Sequence, residues 1–157
     1  LGAAERKAGN RPQALAAFQR ASALAEKNGA AGGSRVERQF DLAEALAVSG
    51  NRAEAKKAYG AGTAIGPLDT QLAVRAARVA LALKEPAAAV KHARQAVEQS
   101  SGEDASAQAA LAAALRANGD RAGASAALKK AAELEPANPE YRVATPEAPK
   151  KKAAKAS

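Results

Sequence analysis

"GNRPQALAAFQRASAL" runs from Gly9 to Leu24, and its outline returns as "GNRAEAKKAYGAGTAI" from Gly50 and "GDRAGASAALKKAAEL" from Gly119. Each copy opens on a glycine followed by Asn10, Asn51 or Asp120, then enters an alanine-rich stretch. Glycine suits the left-handed residue that closes a helix. Asn and Asp suit the cap of the next helix, because their side-chain oxygens accept from its free N–H groups. Pro12 falls in the first turn, where its missing donor is harmless. The stretch therefore spells helix, tight turn, helix.

A fourth copy is disguised as "LKEPAAAVKHARQAVEQ", from Leu83, with Lys84 in the glycine's place and Pro86 starting the helix. Gly50 to Lys84 is 34 residues and Lys84 to Gly119 is 35. Gly9 to Gly50 is 41, and the excess sits in the glycine-rich "EKNGAAGGSR". A period near 34 with two helices per unit predicts a solenoid of stacked hairpins. The units are a partial repeat over 1–28, a Gly-rich loop over 29–35, and full repeats over 36–69, 70–103 and 105–138. A Pro/Ala/Lys-rich tail, largely disordered in composition, covers 139–157. Ser34 with Glu37 resembles a capping box, and Asp69 and Asp104 are placed to cap the next two units.

In this register the chain resembles the tetratricopeptide repeat family over about Leu1 to Asn138. The family's small residue in the first helix is matched by Gly2, Ala43, Ala77 and Ala112, preceded by Leu1, Leu42, Ala76 and Leu111. Ala14, Ala55, Ala89 and Ala124 match the alanine early in the second helix. Phe18, Tyr59, Ala93 and Leu128 stand at the bulky position, and Ala21, Gly62, Ala96 and Ala131 at the next small one. Pro67 and Pro136 match the closing proline, with Glu26 and Ser101 elsewhere. The aromatic residue usual early in the first helix is missing, with Gln39, Ala73 and Gln108 in its place. The resemblance implies an all-α, right-handed superhelix of antiparallel helix pairs. Small residues let helices touch, and the bulky residue plugs the remaining gap.

The bulk composition fits that design. Of 157 residues, 49 are alanine, so the 47% hydrophobic fraction is mostly small side chains, and only 3% is aromatic. Alanine is the best helix former. With no cysteine, neither a disulfide framework nor a thiolate metal site is available. That suits the cytoplasm and is compatible with the periplasm, so the compartment stays open. No run approaches the roughly 18–20 apolar residues of a membrane-spanning helix. The opening "LGAAERKAGN" reads like the middle of a helix, so the chain is expected to be a piece of a longer, and on its Ala- and Arg-rich composition bacterial, protein.

Nothing in the sequence assembles a catalytic or cofactor site, and none is expected. The single histidine, His92, stands between Lys91 and Arg94 without a second ligand at helical spacing, so it is expected on the solvated outer face. "GAGTAIG", Gly60 to Gly66, has Ile65 where a dinucleotide fingerprint needs its third glycine, and no strand precedes it. The register puts Gly60 and Gly62 inside a helix, where small size serves packing. Glu103 and Asp104 suit a helix start, where acids complement the dipole.

The resemblance implies a protein partner, a peptide or a subunit of a larger complex, held on the concave face or docked end-on. The register assigns Arg6, Lys7, Glu37, Phe40, Glu44, Val48, Gln71, Val74, Arg78, Leu81 and Arg116 to that face, with Ser106, Ala109 and Ala113. The carboxylate clamp of the chaperone-binding subgroup is absent, because Phe40, Glu44, Val74, Arg78, Ala109 and Ala113 occupy its places. The net charge is +8, and Lys150, Lys151, Lys152 and Lys155 supply half of it. This basic tail offers an alternative role, an adaptor for nucleic acid or an anionic surface. Four lysines without an aromatic to stack on bases disfavour nucleic acid.

Overall fold

The computed structural model describes residues 32–141, together with Ala16, Arg20, Ala23 and Leu24. Six helices follow one another over 32–141: α1 (Gly32–Val48), α2 (Arg52–Ala64), α3 (Thr70–Ala82), α4 (Pro86–Gln99), α5 (Ala105–Ala117) and α6 (Arg121–Leu134). A 3₁₀ turn, Pro139–Tyr141, closes the described chain. No strand occurs among the described residues.

The turns inside the hairpins share one chemistry. After α1 the N–H of Asn51 donates to the Leu46 carbonyl at 2.9 Å and that of Gly50 to Ala47 at 3.2 Å. After α5 the equivalent bonds run from Asp120 to Leu115 and from Gly119 to Arg116. These paired bonds need a left-handed residue, and Gly50 and Gly119 supply it with φ of 87° and 90°. Lys84 takes the same role after α3 at φ 59°, with Glu85 bonded to Ala80 and Lys84 to Leu81. The disguised copy thus keeps the turn without the glycine.

Capping follows the expectation in part. Asp69, Asp104 and Asp120 accept from the N–H groups of Leu72, Ala107 and Gly123, each at 2.8 Å. Asn51 precedes α2 but makes no side-chain cap bond. Ser34 is not a cap, since α1 already starts at Gly32, inside the expected glycine-rich loop. The start of the tail is likewise ordered, because Tyr141 folds back and is buried.

α1, α3 and α5 pack in a row, each against its hairpin partner α2, α4 or α6, and α4 also packs on α5. The repeat's small positions are the touching points: Ala43, Ala55, Ala77, Ala89, Ala96 and Ala131 are fully buried, as are Ala112 and Ala124 within 2%, and Ala93, at the bulky position, is buried too. Tyr59 is buried in the first hairpin. In the last, Leu128 is half-buried beside Ala131 and Tyr141, so Tyr141 lids the terminal hairpin. Phe18 lies outside the described residues.

Candidate partner-binding groove

The inner row of helices holds a cavity of about 450 Å³ lined by Glu37, Glu44, Gln71, Leu72, Val74, Arg75, Arg78, Val79 and Ser106. α1 supplies acids, α3 supplies arginines and a valine floor, and α5 supplies a small hydroxyl. The repeat period explains the grouping. Glu37 and Gln71 are 34 residues apart, as are Glu44 and Arg78, so successive hairpins present equivalent positions side by side.

The same spacing pairs charges across the row. The Arg75 guanidinium forms an ion pair with the Asp41 carboxylate one repeat earlier, and both are partly buried, which makes the pair firmer than a solvated one. Gln71 Nε2 donates to Asp104 Oδ2 at 3.2 Å. Asp104 also accepts from the Ser106 hydroxyl at 2.6 Å, which, with the backbone N–H of Ala107, holds its carboxyl below the usual range. Asp104 therefore caps α5 and ties it to α3.

Glu37, Glu44, Gln71, Val74 and Arg78 line this cavity, although Val74 keeps only 3% of its surface exposed. Phe40 does not. It is completely buried, its ring 6.1 Å from that of Tyr59, and so plugs the first hairpin instead of flooring the groove. The reason is helical geometry: Val36, Phe40 and Ala43 form one buried stripe at i, i+4, i+7. Glu37 and Glu44 line the groove at i and i+7, with Asp41 between them paired to Arg75, and the lining residues missed were Leu72, Arg75 and Val79. Adding 34 to Asp41 would have found Arg75.

Leu81 packs partly buried on the core. Val48, 47% exposed, and Arg116, exposed in the last turn of α5, stand outside the cavity lining. Arg6, Lys7 and the tail lysines Lys150, Lys151, Lys152 and Lys155 lie outside the described residues.

The outer face also differs from expectation. His92 is half-buried, not solvated, and meets Tyr59 edge-on at 6.0 Å. His92 Nδ1 and the Tyr59 hydroxyl are buried without a hydrogen-bond partner among the described residues. Burial, and secondarily Glu85, push the Tyr59 phenol up to about 12. Lys56 pairs with Glu85 at 2.6 Å across the same seam. Of the two glycines expected to pack, only Gly62 does: a Cβ there would stand 2.8 Å from Phe40 Cε1, whereas Gly60 faces open space. No three His, Cys, Asp or Glu side chains converge on a metal-sized site among the described residues. No described helix is long and apolar enough to cross a membrane.

No known family profile and no curated protein matches the sequence. Solved structures do match in shape. MamA 41-end from Desulfovibrio magneticus RS-1 superposes with a TM-score of 0.64 at 22% identity, covering 89% of this chain and 75% of that one. A second MamA crystal structure gives 0.61 at 16% identity over 87% and 75%. The Yersinia enterocolitica type III secretion translocator chaperone SycD gives 0.55 at 20% identity over 75% and 87%. Together with the 34-residue ladder of equivalent positions, these likenesses show the fold: an all-α repeat of stacked antiparallel helix pairs, shared with those structures.

Proposed function

We propose that this chain is a non-enzymatic protein-interaction scaffold that holds a peptide or partner subunit in its inner groove. The observation that carries this reading is the 450 Å³ groove itself, in which Glu37 and Glu44 face Arg75 and Arg78 across a valine floor. Convergent polar groups around an apolar floor fix the orientation of a bound chain. Opposite charges on its two sides select a partner of complementary pattern. A structurally similar protein, SycD, is named as a chaperone of a secretion translocator, which is in keeping with a protein-binding role. No constellation of nucleophile, base and oxyanion donors is legible in the sequence.

A peptide array probed with the full chain tests the reading. Arg78→Glu should abolish the peptides that the parent protein captures, while Arg94→Glu on the outer helix α4 should leave them bound. Equal loss in both variants, or no capture by the parent, overturns it.

A further inference from the structure

The outer seam between the first two hairpins holds two polar atoms that the groove does not use. Tyr59 of α2 and His92 of α4 meet edge-on, with ring centroids 6.0 Å apart and planes at 89°. The Tyr59 hydroxyl and His92 Nδ1 are both buried, and neither has a hydrogen-bond partner among the described residues. Buried polar atoms are normally paired, and these two are complementary. Gln95 Nε2 donates to the Leu68 carbonyl at 3.1 Å, which leaves Oε1 to accept. Gln95 also hydrogen-bonds His92, and with Nδ1 orphaned that bond comes from Nε2–H. A neutral imidazole protonated at Nε2 presents Nδ1 as a bare acceptor, and a phenol is a donor. At this ring separation small side-chain rotations close a Tyr59 O–H···Nδ1 bond.

The seam stands opposite the groove across one junction. On the inner side α1 packs directly on α3, and the two helices supply most of the cavity wall. On the outer side the hairpins are joined by side chains: the Tyr59–His92 contact, the Lys56–Glu85 pair at 2.6 Å, and Gln95 and Gln99 on the Leu68 carbonyl. We propose that Tyr59 and His92 form a proton-operated latch on this junction, closed by the O–H···Nδ1 bond and released when Nδ1 takes up a proton. The charges around the ring favour release. α2 offers Arg52 and Lys56, and α4 offers Lys91 and one acid, Glu85, which Lys56 already engages. Glu54, Lys57, Arg94 and Glu98 stand on other faces of these helices. Asp69, in the connecting loop, is committed to capping α3. α3 keeps its titratable side chains, Arg75 and Arg78, in the groove, and α5 carries only Arg116, in its last turn. Among the described residues a buried imidazolium thus meets no free carboxylate, and it gains most by reaching water. α2 and α4 then part about the α1–α3 contact, and Glu37 and Glu44 swing toward Arg75 and Arg78. The groove narrows in acid. That narrowing governs a partner only if the groove is the binding surface, as proposed above; the latch itself does not depend on it.

The chain has one histidine and no cysteine, so both parts of the latch are read directly on the full chain. The His92 imidazole gives one set of nitrogen signals. At neutral pH they should report the Nε2–H form with Nδ1 accepting. Tyr59→Phe should move the proton uptake to higher pH by removing that bond. Nitroxide pairs at Ala53→Cys with Ala87→Cys on the outer face, and at Val48→Cys with Ala82→Cys on the inner face, report distances across the junction. All four sites are exposed. As the imidazole signals titrate, the outer distance should lengthen by about 2 Å and the inner one should shorten, reversibly. His92→Gln should hold both fixed. Distances that stay fixed while the imidazole titrates overturn the proposal. So does an imidazole that stays neutral until the fold is lost, an unmoved titration in Tyr59→Phe, or equal movement in His92→Gln. Moving distances without Arg78-dependent peptide capture leave the latch standing and sink the scaffold reading; fixed distances with capture intact do the reverse.

Discussion

The first and last hairpins solve the same packing problem with different side chains. In α1/α2 a phenylalanine and a tyrosine fill the space, and Gly62 gives way so that the Phe40 ring can lie against bare backbone. In α5/α6 the buried side chains are mostly small, Ala112, Ala114, Ala124, Ala127 and Ala131, with Leu115 among them. The last hairpin also buries Gln108, which stands at the position of Gln39 and whose amide donates to the Gly102 carbonyl at 3.3 Å. Large against bare backbone and small against small are two ways of filling an interhelical gap to a similar total volume. A repeat fold constrains that sum more tightly than the identity of any one residue.

The contrast predicts opposite sensitivities. Truncating the plug should hurt most. Phe40→Ala leaves a cavity in a completely buried site and should cost about 3–5 kcal/mol, read as a lower urea midpoint. The same variant should leave peptide capture by Arg78 peptides intact once it is folded at low temperature, because Phe40 is not in the groove. Loss of capture by the folded variant would put Phe40 back on the binding surface.

Enlarging the small hairpin should come second. Ala124 is 2% exposed between α6 and its neighbours, and Ala124→Leu should cost about 1–3 kcal/mol by overpacking. An unchanged midpoint would mean that the last hairpin has slack, and the volume-sum argument would fail there.

Much of this was legible before the structure. The period, the turn at Lys84 and the buried alanines follow from glycine, cap and spacing chemistry, which act over a few neighbouring residues. Phe40 was misplaced because a one-residue step on a helix turns a side chain by about 100°, which separates the buried stripe from the groove. The family pattern puts its aromatic at Gln39, so its register pointed Phe40 outward. The apolar spacing of Val36, Phe40 and Ala43 pointed inward, and that local pattern won. His92 was misread for another reason. Its flanks Lys91 and Arg94 are exposed, yet its burial depends on Tyr59 in the preceding hairpin, and no local pattern reports that contact.

His92 supplies the smallest expected effect and the one that best separates the aromatic seam from the alanine hairpin. Burial, and then the neighbouring Lys91 charge, lower its pKa below the ordinary 6.5, with a Gln95 hydrogen bond opposing them. The folded state thus holds the imidazole neutral while the unfolded chain takes up a proton near the ordinary value. Stability from this site is complete above the unfolded pKa and is lost as pH falls through it toward the lower folded pKa. Asp104, held below its ordinary 3.8 by the Ser106 hydroxyl, runs the same way from a more acidic starting point. Between about pH 7.5 and about pH 5.5 the urea midpoint should fall in the parent and stay flatter in His92→Gln. Amide exchange should show where the loss lands. The α2 and α4 amides around Tyr59 and His92 should lose protection first, and those of α5 and α6 should hold. A parent whose midpoint does not move in that interval, or a variant that moves equally, would show that the Tyr59–His92 seam does not sense the proton.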